Sequence, residues 1–176
     1  MNCCRQVARD VWLGFGCCTP VGGGTRREQR WLRDREAADR AVAVVVAASG
    51  FSRDACAVSR SHTLGVAVAV AAPAGVRVGV DLVAVDRVGG RHATAILIGD
   101  EWKTLDSYAS VRPALAWAVK EAAAKATGEP LRCFPHGLRI EAGSTGLMVR
   151  QVVGGGRVFT ADWGMFGRFL YAWVRG

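Results

Sequence analysis

The chain lacks any apolar run near the roughly 20 residues that a membrane-spanning helix needs. Its longest apolar stretches, Ala41 to Ala48 and Gly65 to Ala74, are too short and read as buried elements. Aromatic residues are scarce at 8%, yet 51% of the chain is hydrophobic. This Ala-, Val-, Gly- and Arg-rich usage is that of a globular protein and excludes a disordered one. Acidic residues are outnumbered, with 15 Asp and Glu against 23 Lys and Arg for a net charge of +8, and lysine is rare beside arginine. Such a balance favours an anionic partner: a nucleotide-like cofactor, nucleic acid, a membrane surface or an acidic protein. Nucleic acid has only the charge in its favour, because recognition-helix, zinc-finger and aromatic-basic strand signatures are all missing. The opening Met1-Asn2-Cys3-Cys4-Arg5 has no signal-peptide core, so a cytoplasmic protein without a membrane partner is expected. Disulfides are disfavoured there. The cysteine pairs Cys3-Cys4 and Cys17-Cys18 are adjacent, without the two- to four-residue spacing of zinc knuckles. A four-thiolate metal site at those positions takes second place to reduced, partly buried or mobile thiols.

The length of 176 residues suits one domain or two small halves. Residues 1–24 show little periodicity, end in Pro20-Val21-Gly22-Gly23-Gly24, and read as a loop or leader. Thr25 followed by Glu28 is a capping-box pattern, so a helix is predicted from Arg26 to about Ala48, stopped by Ser49-Gly50. Residues 51–61 look loop-like. Leu64 to Ala72 and Val76 to Val85 read as two strands of a hairpin turning at Pro73-Ala74-Gly75. In the second strand, Asp81 then opposes the apolar face. Ala93 to Ile98 is ambiguous between strand and helix. Gly99-Asp100-Glu101-Trp102 reads as a turn into a short helix. Pro113 opens a further helix, which Gly128 and Pro130 close. Four strands follow, at Gly137 to Glu141, Gly146 to Val153, Val158 to Ala161 and Phe169 to Val174. The fold class is α+β, in two similar halves at 25–78 and 79–176, although no sequence repeat marks them.

The most telling stretch is Trp117-Ala118-Val119-Lys120-Glu121-Ala122-Ala123-Ala124-Lys125, downstream of Gly79-Val80-Asp81. Trp117, Glu121 and Lys125 are four apart and share one helix face. With Asp81 and Lys120 they offer two carboxylates and two lysines to one metal ion and one diphosphate. Together with Ser61-His62-Thr63, in this order and with these gaps, the motifs resemble the 4'-phosphopantetheinyl transferase superfamily. The family pattern is a Ser-His pair, a Gly-Val/Ile-Asp strand and a Trp-x-x-Lys-Glu-Ala-x-x-Lys helix. The resemblance covers roughly residues 26–175, and its length and layout look like the monomeric, surfactin-synthetase-type branch.

The resemblance implies a fold of two α/β halves related by a pseudo-twofold axis, with coenzyme A in the cleft between them. It implies an activity of the holo-[acyl-carrier-protein] synthase type. Phosphopantetheine would move from coenzyme A to a serine of an acyl or peptidyl carrier protein, with Mg2+ as cofactor and adenosine 3',5'-bisphosphate as the other product. Carried over, Asp81 and Glu121 bind Mg2+, Glu121 accepts the serine proton, Lys125 and Lys120 face the phosphates, and Ser61 and His62 hold the 3'-phosphate end of coenzyme A. Arg26, Arg27 and Arg30 add charge near those phosphates. Both halves in one chain point to a monomer. One departure stands out: members of that branch often carry a second acid two residues after the strand aspartate, where this chain has Val83.

Blander readings sit beside these. Glu121 and Lys125 also fit an ordinary i, i+4 surface pair worth about 0.3–0.5 kcal/mol. Lys120 points about 100° from Glu121 and suits an exposed solubilising role as well. The Arg26–Arg40 run fits a solvated face, since Glu28, Asp34, Glu36 and Asp39 interleave with it. Trp117 reads as packing, Trp102, Trp163 and Trp173 as core or interface, and His92 and His136 as structural or solvated. If the hairpin turns at Ala74, Asp81 pairs near Ala67 and His62 lies about 16 Å farther along, too far to share a metal. The rival to the transferase is a non-catalytic coenzyme A or carrier-protein binder of the same fold.

Overall fold

The first long helix, α1 (Arg26–Ser49), begins where its capping chemistry says it should. Thr25 Oγ1 accepts from the Glu28 amide at 3.3 Å, and Glu28 Oε2 accepts from the Thr25 amide at 2.9 Å. Gly50, at φ 71°, ends it in the left-handed conformation that glycine adopts without strain. The computed structural model describes residues 3–18, 25–129 and 133–176. It shows an α+β chain dividing into two compact units, Met1–Val76 and Arg77–Gly176. Among the described residues no helix is long and apolar enough to cross a membrane.

In the first unit, α1 packs on an antiparallel sheet of β1 (Cys3–Ala8), β2 (Val11–Cys17), β3 (Cys56–Thr63) and β4 (Val66–Pro73), in the order β1-β2-β4-β3. The expectation of a loop or leader over 1–24 is therefore wrong for residues 3–17. Val11 and Leu13 are fully buried. Gly14 and Gly16 are the points where the helix presses on the sheet. A Cβ on Gly16 would meet the Ala37 carbonyl oxygen at 2.5 Å. Ala37, Ala38, Ala41 and Val45 pack there against Ala67, Ala69 and Ala71.

The hairpin predicted across 64–85 is also corrected. β4 turns back on β3 through Leu64 and Gly65, both at positive φ. β5 (Val78–Ala84) belongs to the other sheet. His62 faces Ala67 and Asp81 faces Ala172, so the 16 Å estimate built on the false hairpin falls with it. The polar run Ser59-Arg60-Ser61-His62 masked an edge strand, because an edge strand needs only one covered face.

In the second unit, β5 leads through a 3₁₀ turn (Val85–Arg87) to α2 (Gly90–Ile96), α3 (Glu101–Thr104) and α4 (Arg112–Thr127). Then come β6 (Leu138–Ala142), β7 (Leu147–Gln151), β8 (Val158–Phe166) and β9 (Phe169–Arg175). The sheet order is β5-β9-β8-β7-β6, antiparallel throughout. The ambiguous stretch from Ala93 thus starts in a helix. Pro113 sits in the first turn of α4 and Gly128, at φ 80°, ends it, as expected. Arg77 Nη1 donates to the last carbonyls of α4, at Thr127 (3.2 Å) and Ala126 (3.4 Å), placing positive charge at the negative end of the helix.

β5 is buried at every position, so Asp81 does not oppose an apolar face. It shares with Gly79 and Val83 the side turned to α4. Gly79 has a steric reason to be glycine: a Cβ there would lie 1.9 Å from the Ala122 carbonyl oxygen. The contact brings the backbone of α4 directly onto β5, two residues from Asp81.

Candidate active site

Three of the predicted side chains converge on that contact. Lys125 Nζ lies 2.8 Å from Asp81 Oδ1 and donates also to the Val80 carbonyl at 3.0 Å. Asp81 is nearly buried and Lys125 is 28% exposed, so the pair opens to water on one side. Glu121, one turn before Lys125, is half-buried. Its carboxyl is pushed above the usual carboxylate range, first by burial and then by the negative charge of Asp81, while Lys125 pulls the other way. A half-buried carboxyl pushed up by burial and by a neighbouring carboxylate, with one ammonium beside that neighbour, marks a place where added positive charge is welcome.

A divalent cation fits this donor set. Asp81 and Glu121 supply hard oxygen ligands, and Mg2+ is satisfied by one or two carboxylates plus phosphate oxygens and waters. Among the described residues there is no group of three or more His, Cys, Asp or Glu able to hold a metal by themselves. That bears on the thiolate reading too: the six cysteines are free, and Cys4 faces Gly14 across the β1–β2 pair. Val83, where a second strand acid would sit, is 7% exposed and packed in the apolar core under α4. Asp86 pairs with Arg168 at 3.0 Å.

Lys120 is a correction. It was expected to face phosphates or solvent, but it is fully buried. Its Nζ is 2.8 Å from Glu101 Oε2 and 2.6 Å from the Ile96 carbonyl. Burial pulls its pKa down, and Glu101 partly restores it. The 100° between positions 120 and 121 sends the two side chains to different neighbours. Glu101, noted in the sequence only as part of a turn, completes that pair at 1% exposure. No spacing rule links it to α4. Trp117 packs edge-on against His92 (5.8 Å) and Phe134 (5.2 Å), as its packing reading required.

Ser61 and His62 stand on β3 in the first unit. Ser61 is 9% exposed. His62 is half-exposed, with Nδ1 3.9 Å from Asp34 Oδ2. His62 lines a pocket of about 300 Å3 with Trp31, Arg35, Ala38, Asp39 and Arg60. Arg35 lies over the Trp31 ring at 5.3 Å, and Arg60 pairs with Asp39 at 2.8 Å. Of the three arginines chosen from sequence, Arg27 is exposed. Arg30 reaches toward Asp34 at 3.9 Å. The side chain of Arg26 is outside the described residues. The cations beside His62 are instead Arg35, one turn beyond Trp31, and Arg60, two residues before His62. Strand alternation from His62 would have found Arg60.

Residues 77–146 match the family model of the 4'-phosphopantetheinyl transferase superfamily. That stretch is thus similar to a domain of the superfamily. The matched stretch holds Asp81, Glu101, Lys120, Glu121 and Lys125 together, and phosphopantetheinyl transfer is the chemistry it supports in general terms. Among curated proteins none matches the chain.

Proposed function

We propose that this protein moves 4'-phosphopantetheine from coenzyme A to a serine hydroxyl of an apo acyl or peptidyl carrier protein. The observation that carries the reading is the meeting of Asp81, Glu121 and Lys125 at the β5–α4 contact, inside the matched domain. Asp81 and Glu121 would hold Mg2+, which when bound neutralises diphosphate charge and makes its phosphorus easier to attack.

The remaining roles belong to the chain's own groups. The serine Oγ forms a bond to the phosphorus that carries pantetheine. The anhydride P–O bond breaks, and its electron pair leaves with adenosine 3',5'-bisphosphate. Glu121, made more basic by burial, takes the serine proton directly or through a water. Lys125 lies within reach of charge growing on the leaving phosphate and stabilises it there. Its hydrogen bonds to Asp81 and Val80 hold it in position before substrate arrives, so little ordering remains for the reactive step. In the first unit, Ser61 and His62, with Arg35 and Arg60 beside them, are assigned to the 3'-phosphate end of coenzyme A. Arg27, at the start of α1, adds positive potential. The net charge of +8 suits docking of an acidic carrier protein, an encounter that salt would weaken.

Intact-protein mass spectrometry tests the reading. Apo carrier proteins of fatty-acid, polyketide and nonribosomal-peptide type are mixed with the protein, coenzyme A and Mg2+, beside an EDTA control. A Mg2+-dependent gain of about 340 Da, one phosphopantetheine carried by a serine, supports transfer and names the carrier class. No gain on any carrier refutes it. One observation favours a second reading, a binder of coenzyme A or carrier protein without turnover: the apolar Val83 where a second acid would assist the metal. Coenzyme A binding without turnover, with activity appearing in Val83→Glu, would establish that reading.

A further inference from the structure

α4 meets its surroundings through small side chains. Ala114, Ala116, Ala118, Ala122, Ala123, Ala124 and Ala126 are all buried, with Leu115 and Val119 as the larger contacts. Methyl groups give a helix little shape by which to choose one rotation about its axis over another. The rotation nevertheless decides the site. A turn of about 20° would displace a side-chain tip at a radius of about 6 Å by roughly 2 Å. A 1 Å misplacement can cost about 10²-fold in rate.

Two features key the helix, one steric and one polar. One is the Gly79–Ala122 approach already described. The other is Lys120, tied on the far side of α4. Every polar atom of the Lys120–Glu101 pair that the structure places is in use. Glu101 Oε1 accepts from the Ile140 amide at 2.6 Å, and Oε2 accepts from the Ile98 amide at 2.6 Å and from Lys120 at 2.8 Å. Lys120 donates also to the Ile96 carbonyl at 2.6 Å. Through this one lysine α4 is fastened to the end of α2, to α3 and to β6. A buried ion pair is poor glue, because desolvation offsets much of its attraction, but it is directional and tolerates one arrangement.

We propose that Glu101 is a positioning residue: its buried pair with Lys120 sets the rotation of α4 and so holds Glu121 and Lys125 against Asp81. The catalytic side of this inference rests on the transferase reading above; the geometric side does not. A role confined to stability would leave the site unchanged in any variant that folds.

The test uses Glu101→Gln, which keeps the size and an oxygen acceptor, and the double variant Glu101→Leu/Lys120→Met, which replaces the pair by apolar groups of similar volume. Each is measured by thermal melting, by titration calorimetry with Mn2+ alone, and by kcat and KM for coenzyme A. The double variant is expected to melt near the parent, to bind Mn2+ about tenfold more weakly, and to lose about 10- to 100-fold in kcat with KM within twofold. Glu101→Gln moves the same way by less. A folded double variant that binds Mn2+ and turns over within twofold of the parent overturns the proposal. Should the double variant not melt cooperatively, an unchanged kcat and Mn2+ affinity in Glu101→Gln overturns it instead. A parent chain that binds Mn2+ but transfers nothing sinks the transferase reading alone, and the Mn2+ comparison still decides this one. A parent that does neither ends both.

Discussion

Two lysines on α4, five residues apart, each hold a carboxylate at 2.8 Å, and the two pairs are built for opposite purposes. Lys120 and Glu101 are sealed from water, and four short hydrogen bonds tie them in place. Lys125 and Asp81 are open on one side, with a second carboxylate, Glu121, crowding them. Burial closes the sealed pair to a ligand. The open one carries more negative charge than its single ammonium neutralises. Distance alone does not separate the two; burial does. A charged pair with surplus charge facing solvent is where substrate chemistry belongs, while a balanced pair under the core fixes geometry.

The largest effect that would sharpen this contrast is on turnover. Asp81→Ala and Glu121→Ala should each lower kcat/KM for phosphopantetheine transfer at least about 10³-fold, since each removes a ligand for charge in the transition state. Their melting temperatures should stay near the parent's. Rates within tenfold of the parent would show that the open pair is not the site. The sealed pair should respond in the other currency. Lys120→Met leaves a buried, uncompensated Glu101 and should cost about 3–5 kcal/mol in denaturant unfolding. Lys125→Met at the open pair should cost less than about 1 kcal/mol, because water and the exposed side screen it. Equal losses at the two lysines would break the comparison.

A smaller effect is expected in the first unit. Arg60→Ala and His62→Ala should raise KM for coenzyme A roughly tenfold each, the size of one charge-assisted contact. They should leave KM for dephospho-coenzyme A, which lacks the 3'-phosphate, within about twofold. Equal changes for both substrates would remove these residues from the 3'-phosphate assignment.

Which parts of this were legible beforehand follows from how local their causes are. Thr25 with Glu28, Gly50, Pro113 and Gly128 set helix ends through neighbouring backbone groups, and the two long helices lie where those residues predict. Strand partners are not local. Nothing within 64–85 tells β4 that its partners are β2 and β3, so two strands around Pro73-Ala74-Gly75 passed for a hairpin. Gly14 and Gly16 are glycines because α1, distant in sequence, leaves no room for a side chain. The convergence of Asp81, Glu121 and Lys125 was legible because i, i+4 spacing and a strand motif carry it. The burial of Lys120 was not, since no spacing rule links α4 to Glu101, the partner that lets a lysine be buried there. Arg35 and Arg60 were passed over in favour of arginines nearer the helix start, where charge density, a poor guide to geometry, is highest.

The smallest expected effect asks what the open pair costs the fold. The Glu121 carboxyl sits above its ordinary value of 4.5, raised by burial and by Asp81. A raised carboxyl means that the folded chain binds the proton more tightly than the unfolded one. Its contribution to stability is complete below about pH 4.5 and is lost as pH rises through the folded value. At neutral pH the ionised side chain is therefore a burden that a neutral isostere would not impose. Glu121→Gln should then melt at a higher temperature than the parent at pH 7. The gain should vanish below pH 4.5. Saturating Mg2+ should reverse the order by stabilising the parent more than the variant, because only the parent keeps both carboxylates. A variant less stable than the parent at pH 7 without metal would mean that Lys125 neutralises Glu121 fully. The open pair would then be as balanced as the sealed one, and the difference between them would lose its physical basis.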